Sequence, residues 1–215
     1  SPDTNHWTHG SQVVNPSLIK VGGKFHLYFK ARYKGGTAYG LATADRLEGP
    51  YTMEPTPLTY DGIFIEDGSA FEWNGKVCLL TTDNHGKVTG IRGGGALWVS
   101  DDGKKFDPKF VQLGYDLIPH YFKAYDAAKV RKVYGPDPKI ERPKVLMMDG
   151  RPAYLFGTSG WTVHGGARGG FSLHHHDSGL AVAGIRPAVE TAAQRWTAGE
   201  GWTIVEHPGG ASWTL

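Results

Sequence analysis

Apolar and polar positions alternate in short runs along this chain, and tight turns separate the runs. Leu18-Ile19-Lys20-Val21 leads into Gly22-Gly23, and Phe25-His26-Leu27-Tyr28-Phe29 returns, so residues 17–33 read as a β-hairpin. Residues 38–43 read as a third strand. Gly49-Pro50-Tyr51-Thr52-Met53 reads as a fourth, after a turn at Asp45-Arg46-Leu47-Glu48. Four strands in about 40 residues is the size of one propeller blade.

The plan repeats. A second unit places strands at 70–73, 77–81, 96–100 and 110–113, and Asp101-Asp102-Gly103 supplies turn residues that tolerate positive φ. Between Tyr115 and Lys139 the alternation lapses, and 124–130 reads as a short helix ahead of the stop at Gly135-Pro136-Asp137-Pro138. A third unit follows, with strands near 144–148, 153–158 and 170–174. After His176 no strand–turn–strand unit is recognisable. The Ala- and Gly-rich residues 177–215 stay unassigned between a divergent blade, a helix near 188–195 and a tail. The expected organisation is an all-β chain with propeller blades over 1–176 and an unassigned segment over 177–215.

Each unit opens on a related motif: Asn15-Pro16-Ser17-Leu18-Ile19, Asp67-Gly68-Ser69-Ala70-Phe71 and Glu141-Arg142-Pro143-Lys144-Val145. The copies begin 52 and 74 positions apart, and the insertion after Tyr115 accounts for the difference. If the units surround one axis, Asn15, Asp67 and Glu141 occupy equivalent places and face one space. Two of the three are carboxyl groups, and a carboxyl pair is what hydrolysis of a glycosidic bond requires.

Composition supports the strand reading, since 31 glycines, 13 prolines and 26 aromatic residues suit many short strands and turns. The formal net charge of +2 comes from interspersed charges. The densest cluster, Lys129, Arg131 and Lys132, is explained as a solvated segment, so nucleic acid is not an expected partner. The single cysteine, Cys78, lies between Val77 and Leu79 and reads as a buried structural thiol, which leaves no disulfide within the chain. No apolar run reaches membrane-spanning length and no signal peptide is evident, so no membrane partner is expected. Nothing in the sequence specifies an oligomeric state.

These motifs together resemble the five-bladed β-propeller glycoside hydrolases of family 43 and their relatives, including the 3,6-anhydro-galactosidases of family 117. The resemblance is carried by Asn15-Pro16-Ser17, by Gly23-Lys24-Phe25-His26-Leu27-Tyr28-Phe29 and by Tyr39-Gly40-Leu41-Ala42-Thr43-Ala44-Asp45 with Leu47-Glu48-Gly49-Pro50-Tyr51. Ile65-Glu66-Asp67 with Trp73, and Glu141-Arg142-Pro143, complete the set, which spans about residues 7–175. It implies inverting hydrolysis of a plant or algal poly- or oligosaccharide, with no cofactor, and a secreted or periplasmic setting. A structural calcium ion in the channel is not indicated by any motif. In such enzymes a base comes from the first blade, an orienting aspartate from the third and a general acid glutamate from the fourth. By motif, Asp67 matches the orienting aspartate and Glu141 the acid, and the copy headed by Asn15 matches a second blade. No aspartate-headed inner strand precedes Asn15, so the base has no match. The alternative is a non-catalytic carbohydrate-binding propeller, or a truncated remnant, that keeps the rim and lacks the base.

A general acid must stay protonated near neutral pH, which calls for burial or a neighbouring negative charge, and Asp67 is placed to supply the latter. The competing readings are an ordinary turn role for Asp67 ahead of Gly68-Ser69 and a surface ion pair of Glu141 with Arg142. Glu66 reads as exposed or bonded to backbone, and Arg142 as pointing away from the channel. Sugar binding needs stacking aromatics and polar side chains at the rim. Trp7, Trp73 and Trp161, together with His9, His85, His164 and Asn15, are the candidates. Consecutive histidines at 174–176 alternate faces on a strand and make a poor chelate, so no metal site is expected.

Overall fold

The computed structural model describes residues 3–117 and 139–158, together with the backbone of 164–165, 171–172 and 180–184. The first blade is a four-stranded antiparallel sheet of β1 (Val14–Val21), β2 (Lys24–Tyr33), β3 (Gly36–Ala44) and β4 (Thr52–Met53), in that order. The second repeats it with β5 (Ile65–Trp73), β6 (Lys76–Asp83), β7 (Gly94–Ser100) and β8 (Gln112–Tyr115). The third contains β9 (Glu141–Met148) and β10 (Arg151–Thr158). The short strands β11 (His164–Gly165) and β12 (Phe171–Ser172) pair with each other. The third strand of the third blade is β13 (Leu180–Gly184), hydrogen-bonded to β10 in the order β13-β10-β9.

Four of the hairpins close through two residues that both have positive φ: Gly22-Gly23, Lys34-Gly35, Asn74-Gly75 and Asp149-Gly150. That is the turn whose twist matches the flanking strands, and a glycine stands second in each. Strands β1, β5 and β9 are the first of their sheets and lie side by side, β5 touching both neighbours. They are the inner strands of three consecutive blades.

Burial explains the continuous apolar run in β6. Val77 and Leu79 face the first blade, in a core with Tyr28, Tyr39, Leu41, Ile65, Trp98 and Phe106. Cys78 and Leu80 face the third, in a core with Phe71, Trp73, Leu97, Tyr115, Ile140 and Leu155. A strand sandwiched between two blades has no solvent side, so its alternation disappears. Each such side chain contributes about 1.5–3 kcal/mol by burial.

Three differences from the sequence reading have local causes. The strand expected at 110–113 begins instead at Gln112, because Pro108–Phe110 forms a 3-10 turn capped by the Asp107 carboxylate on the Lys109 N–H at 2.9 Å. The strand expected at 170–174 is only Phe171–Ser172 and belongs to a separate ribbon. The third strand of the third blade, β13, falls in the Ala/Gly-rich stretch where no unit was recognisable, since Leu180-Ala181-Val182-Ala183-Gly184 carries almost no polar alternation. The helix expected at 124–130, the helix near 188–195 that was one alternative for the C-terminal segment, the cluster at 129–132 and the histidines at 174–176 lie outside the described residues.

Candidate active site

Every inner strand carries a β-bulge at its start. Val14 pairs with Lys30 and Ser17 with Tyr28; Glu66 pairs with Thr82 and Ser69 with Leu80; Glu141 pairs with Thr158 and Lys144 with Phe156. Two residues therefore oppose one in each blade, and the first of the two takes positive φ: Asn15 at 53°, Asp67 at 59° and Arg142 at 52°. A left-handed residue opening a bulge bends the strand and re-aims the side chains beside it.

This register corrects the alignment of the three motifs by one residue. Asn15 and Asp67 are equivalent, as expected, but their counterpart in the third blade is Arg142. Glu141 is the counterpart of Glu66 and Val14. The letters carry a trace of this register, since a proline follows both Asn15 and Arg142, although the matching position after Asp67 is Gly68.

The three bulges meet through Asp67. Its Oδ1 accepts from Asn15 Nδ2 of the first blade at 2.8 Å, and its Oδ2 accepts from the Arg142 backbone N–H of the third at 3.3 Å. Arg142 thus serves the centre through its backbone, although its side chain is exposed. Ser17 Oγ, two residues beyond Asn15, accepts from the Ala70 N–H at 2.8 Å and ties the same two blades. Burial, with the charges of Glu66 and Glu141 nearby, pushes the Asp67 carboxyl up from the ordinary aspartate range, while the Arg142 N–H opposes that shift.

Glu141 is 4% exposed. Gly157 makes room for its strand: a Cβ there would come within 2.0 Å of Ile140 Cγ2 and 3.2 Å of the Glu141 carbonyl oxygen. The Glu141 carboxylate pairs with Lys139 Nζ at 2.5 Å, so its ionic partner is Lys139, where the sequence suggested neighbouring Arg142.

Glu66 departs from its sequence reading as an exposed or backbone-bonded side chain. Its carboxylate accepts from Lys30 Nζ at 2.7 Å and from the Asn84 amide. Burial raises its pKa, but the Lys30 and Asn84 hydrogen bonds and the charges of Lys30 and Lys139 outweigh this and hold it below the usual glutamate value. Glu66, Lys30, Asn84 and Lys139 were absent from the sequence-derived site. Lys30 lies within β2 and Asn84 just after β6, where the sequence signals concern packing, and only the adjacent pair Glu66-Asp67 hinted that two acids gather at one bulge.

The remaining candidates spread out. Trp7 stacks on Phe29 at 6.0 Å between ring centres and meets Tyr33 edge-on at 5.7 Å, packed against the first blade. Trp73 is 6% exposed in the core between the second and third blades. It lies six residues along β5 from Asp67, about 20 Å at strand spacing. His85 is exposed, packs against Phe64 with tilted rings 4.2 Å apart and adjoins Asn84, whose amide donates to Glu66, at the β6–β7 loop. His9 is exposed in the turns ahead of β1. Trp161 and the His164 side chain lie outside the described residues. Among the described residues no group of three or more His, Cys, Asp or Glu is arranged to hold a metal ion.

No family model matches the chain. A xylosidase/arabinosidase 43A of Humicola insolens is 38% identical over 71 residues, which cover 30% of this chain and 22% of that protein. A thermostable family-43 glycoside hydrolase of known structure superposes over 90% of this chain and 55% of its own, with a TM-score of 0.56 and 18% identity. An endo-arabinase from Bacteroides thetaiotaomicron superposes over 86% of this chain and 60% of its own, with a TM-score of 0.55 and 16% identity. The fold is that of the family-43 glycoside hydrolases. The chain spans little more than half the length of these solved structures, and the matched stretch is about a fifth of the curated relative.

Proposed function

We propose that this chain carries part of the catalytic centre of a glycoside hydrolase acting on a plant or algal poly- or oligosaccharide. Arabinose- and xylose-containing chains are the first substrates to test, because the similar proteins are a xylosidase/arabinosidase and an endo-arabinase. The observation that carries the reading is the pairing of Asp67 and Glu141. They are two carboxyl groups from the inner strands of adjacent blades, and Asp67 accepts from the N–H of Arg142, the residue that follows Glu141, at 3.3 Å.

In this reading Glu141 protonates the leaving oxygen as general acid. Asp67, fixed from both sides by Asn15 and the Arg142 N–H, orients that acid. Inversion calls for a separate carboxylate to activate water, about 6.5–9.5 Å from the acid. The resemblance assigns that carboxylate to a blade ahead of the Asn15 copy in the family order. His85, beside Asn84 at the loop, is the rim residue best placed to contact sugar.

The test is incubation of the chain with arabino- and xylo-oligosaccharides and the matching aryl glycosides, with the released sugar followed by proton NMR. Initial release of the inverted anomer supports the reading. Binding without release supports the non-catalytic alternative, and neither binding nor release removes the carbohydrate reading.

A further inference from the structure

Lys139 precedes the inner strand of the third blade but is held by a loop of the second. Its stem lies over Gly93, where φ is +84° and an added Cβ would come within 2.8 Å of Lys139 Cβ and 3.0 Å of Cδ. Its ammonium lies between two acceptors, Glu141 Oε1 at 2.5 Å and Asn84 Oδ1 at 3.0 Å. The Asn84 amide in turn donates to Glu66 Oε1, which fixes which way it points. Residues 84–93 are themselves pinned by buried Asp83. Its Oδ2 accepts from the Val88 and Thr89 N–H groups at 2.8 and 2.9 Å and from Thr89 Oγ at 3.1 Å, and its carbonyl accepts from the Gly93 N–H at 2.7 Å. The two ends of the β6–β7 loop, Asn84 and Gly93, therefore clamp one lysine against one carboxylate.

We propose that Lys139 is a positioning residue for Glu141: clamped by the β6–β7 loop, its ammonium sets where the Glu141 carboxyl group rests. The inference rests on the reading of Glu141 as the acid. The physical reason is the shared ammonium. A carboxylate in a mostly buried place needs a cationic or hydrogen-bonding partner. When the carboxyl becomes protonated, the attraction falls, and the Asn84 oxygen keeps the ammonium from being left without an acceptor. Of the charged groups around this pair, Asp67 of β5 lies within electrostatic reach of Glu141, and Glu66 of β5, itself paired with Lys30 of β2, lies within reach of Lys139.

The experiment compares the full chain with Lys139→Met, Lys139→Arg, Asn84→Ala and Glu141→Gln on glycosides with poor and activated leaving groups. Acid assistance matters for the poor leaving group and little for the activated one. Lys139→Met is expected to lose about 10–100-fold in kcat on the poor leaving group and less than about 3-fold on the activated one, with KM nearly unchanged. Lys139→Arg restores most of the loss, and Asn84→Ala shows a smaller version of it. A parallel fall on both substrates, or no fall, overturns the proposal. If Glu141→Gln itself shows no leaving-group dependence, the reading of Glu141 as acid fails first. A measurement free of turnover stands beside this: carbon-13 NMR of the Glu141 carboxyl carbon through a pH titration. Loss of the neighbouring cation should move the midpoint to higher pH in Lys139→Met and leave it near wild type in Lys139→Arg. An unchanged midpoint in Lys139→Met overturns the contact.

Discussion

Asn15 and Asp67 occupy the same register position in consecutive blades, both with positive φ, and join across the blades through one hydrogen bond of 2.8 Å from Asn15 Nδ2 to Asp67 Oδ1. The neutral member of the repeat is thus a donor to the charged one. An aspartate in its place would set two carboxylates face to face at the axis. Asn15→Asp is expected to cost about 1–3 kcal/mol of stability at neutral pH, with much of the loss recovered in acid as one carboxyl takes up a proton. Urea unfolding at the two pH values checks this.

Asp67 itself follows the same pH sense. Its pKa is raised in the folded protein by burial and by Glu66 and Glu141, so its favourable contribution is fully present below its unfolded value and is lost as pH rises through the folded value. At neutral pH the ionised group is a strain on the fold. Asp67→Asn should therefore lower activity while leaving neutral-pH stability unchanged or raising it by about 1 kcal/mol, the amide pair at 15 and 67 re-orienting to keep the bond. Thermal unfolding of the variant at pH 7 and in acid measures the difference, which should shrink in acid.

Glu66 has its pKa lowered, because Lys30 and Asn84 outweigh its burial. Its stabilising contribution is present above the ordinary glutamate value and is lost as pH falls through the lower folded value. Glu66→Gln is expected to cost about 1 kcal/mol at pH 7, discounted for a side chain 31% exposed, and close to nothing in strong acid. A pH series of denaturant midpoints for wild type and variant should converge on the acid side.

Cys78 is completely buried between the second and third blades, and burial pushes its thiol up to about 12. Its thiolate is scarce at neutral pH, so an aromatic disulfide reagent should label it only as fast as the chain unfolds. Labelling rates with and without urea give the answer.

The sequence made the blades legible because the physics is local. Two-residue turns at Gly22-Gly23, Asn74-Gly75 and Asp149-Gly150 and the apolar runs between them specify hairpins without any long-range information. The site was legible only in part. Asp67 and Glu141 stood out as acids heading inner strands, but their relative register depended on bulges whose sequence trace, a proline after Asn15 and after Arg142, is missing after Asp67, so Glu141 was aligned with Asp67 when it matches Glu66. Lys139 and Asn84 were invisible for a related reason. Their roles arise where a loop of one blade meets the next strand of another, 55 positions away. Leu180–Gly184 failed in the other way, since an apolar strand without alternation or a nearby turn partner gives no hairpin signal.

The account stands or falls on Glu141 acting as a proton donor to sugar. The most direct measurement is kcat/KM for release of sugar from an unactivated arabino- or xylo-oligosaccharide by the wild-type chain and by Glu141→Gln, with both variants checked for the same fold by circular dichroism. A loss of about 10²–10⁴-fold in Glu141→Gln is the predicted result. Equal activity in the two proteins would contradict it.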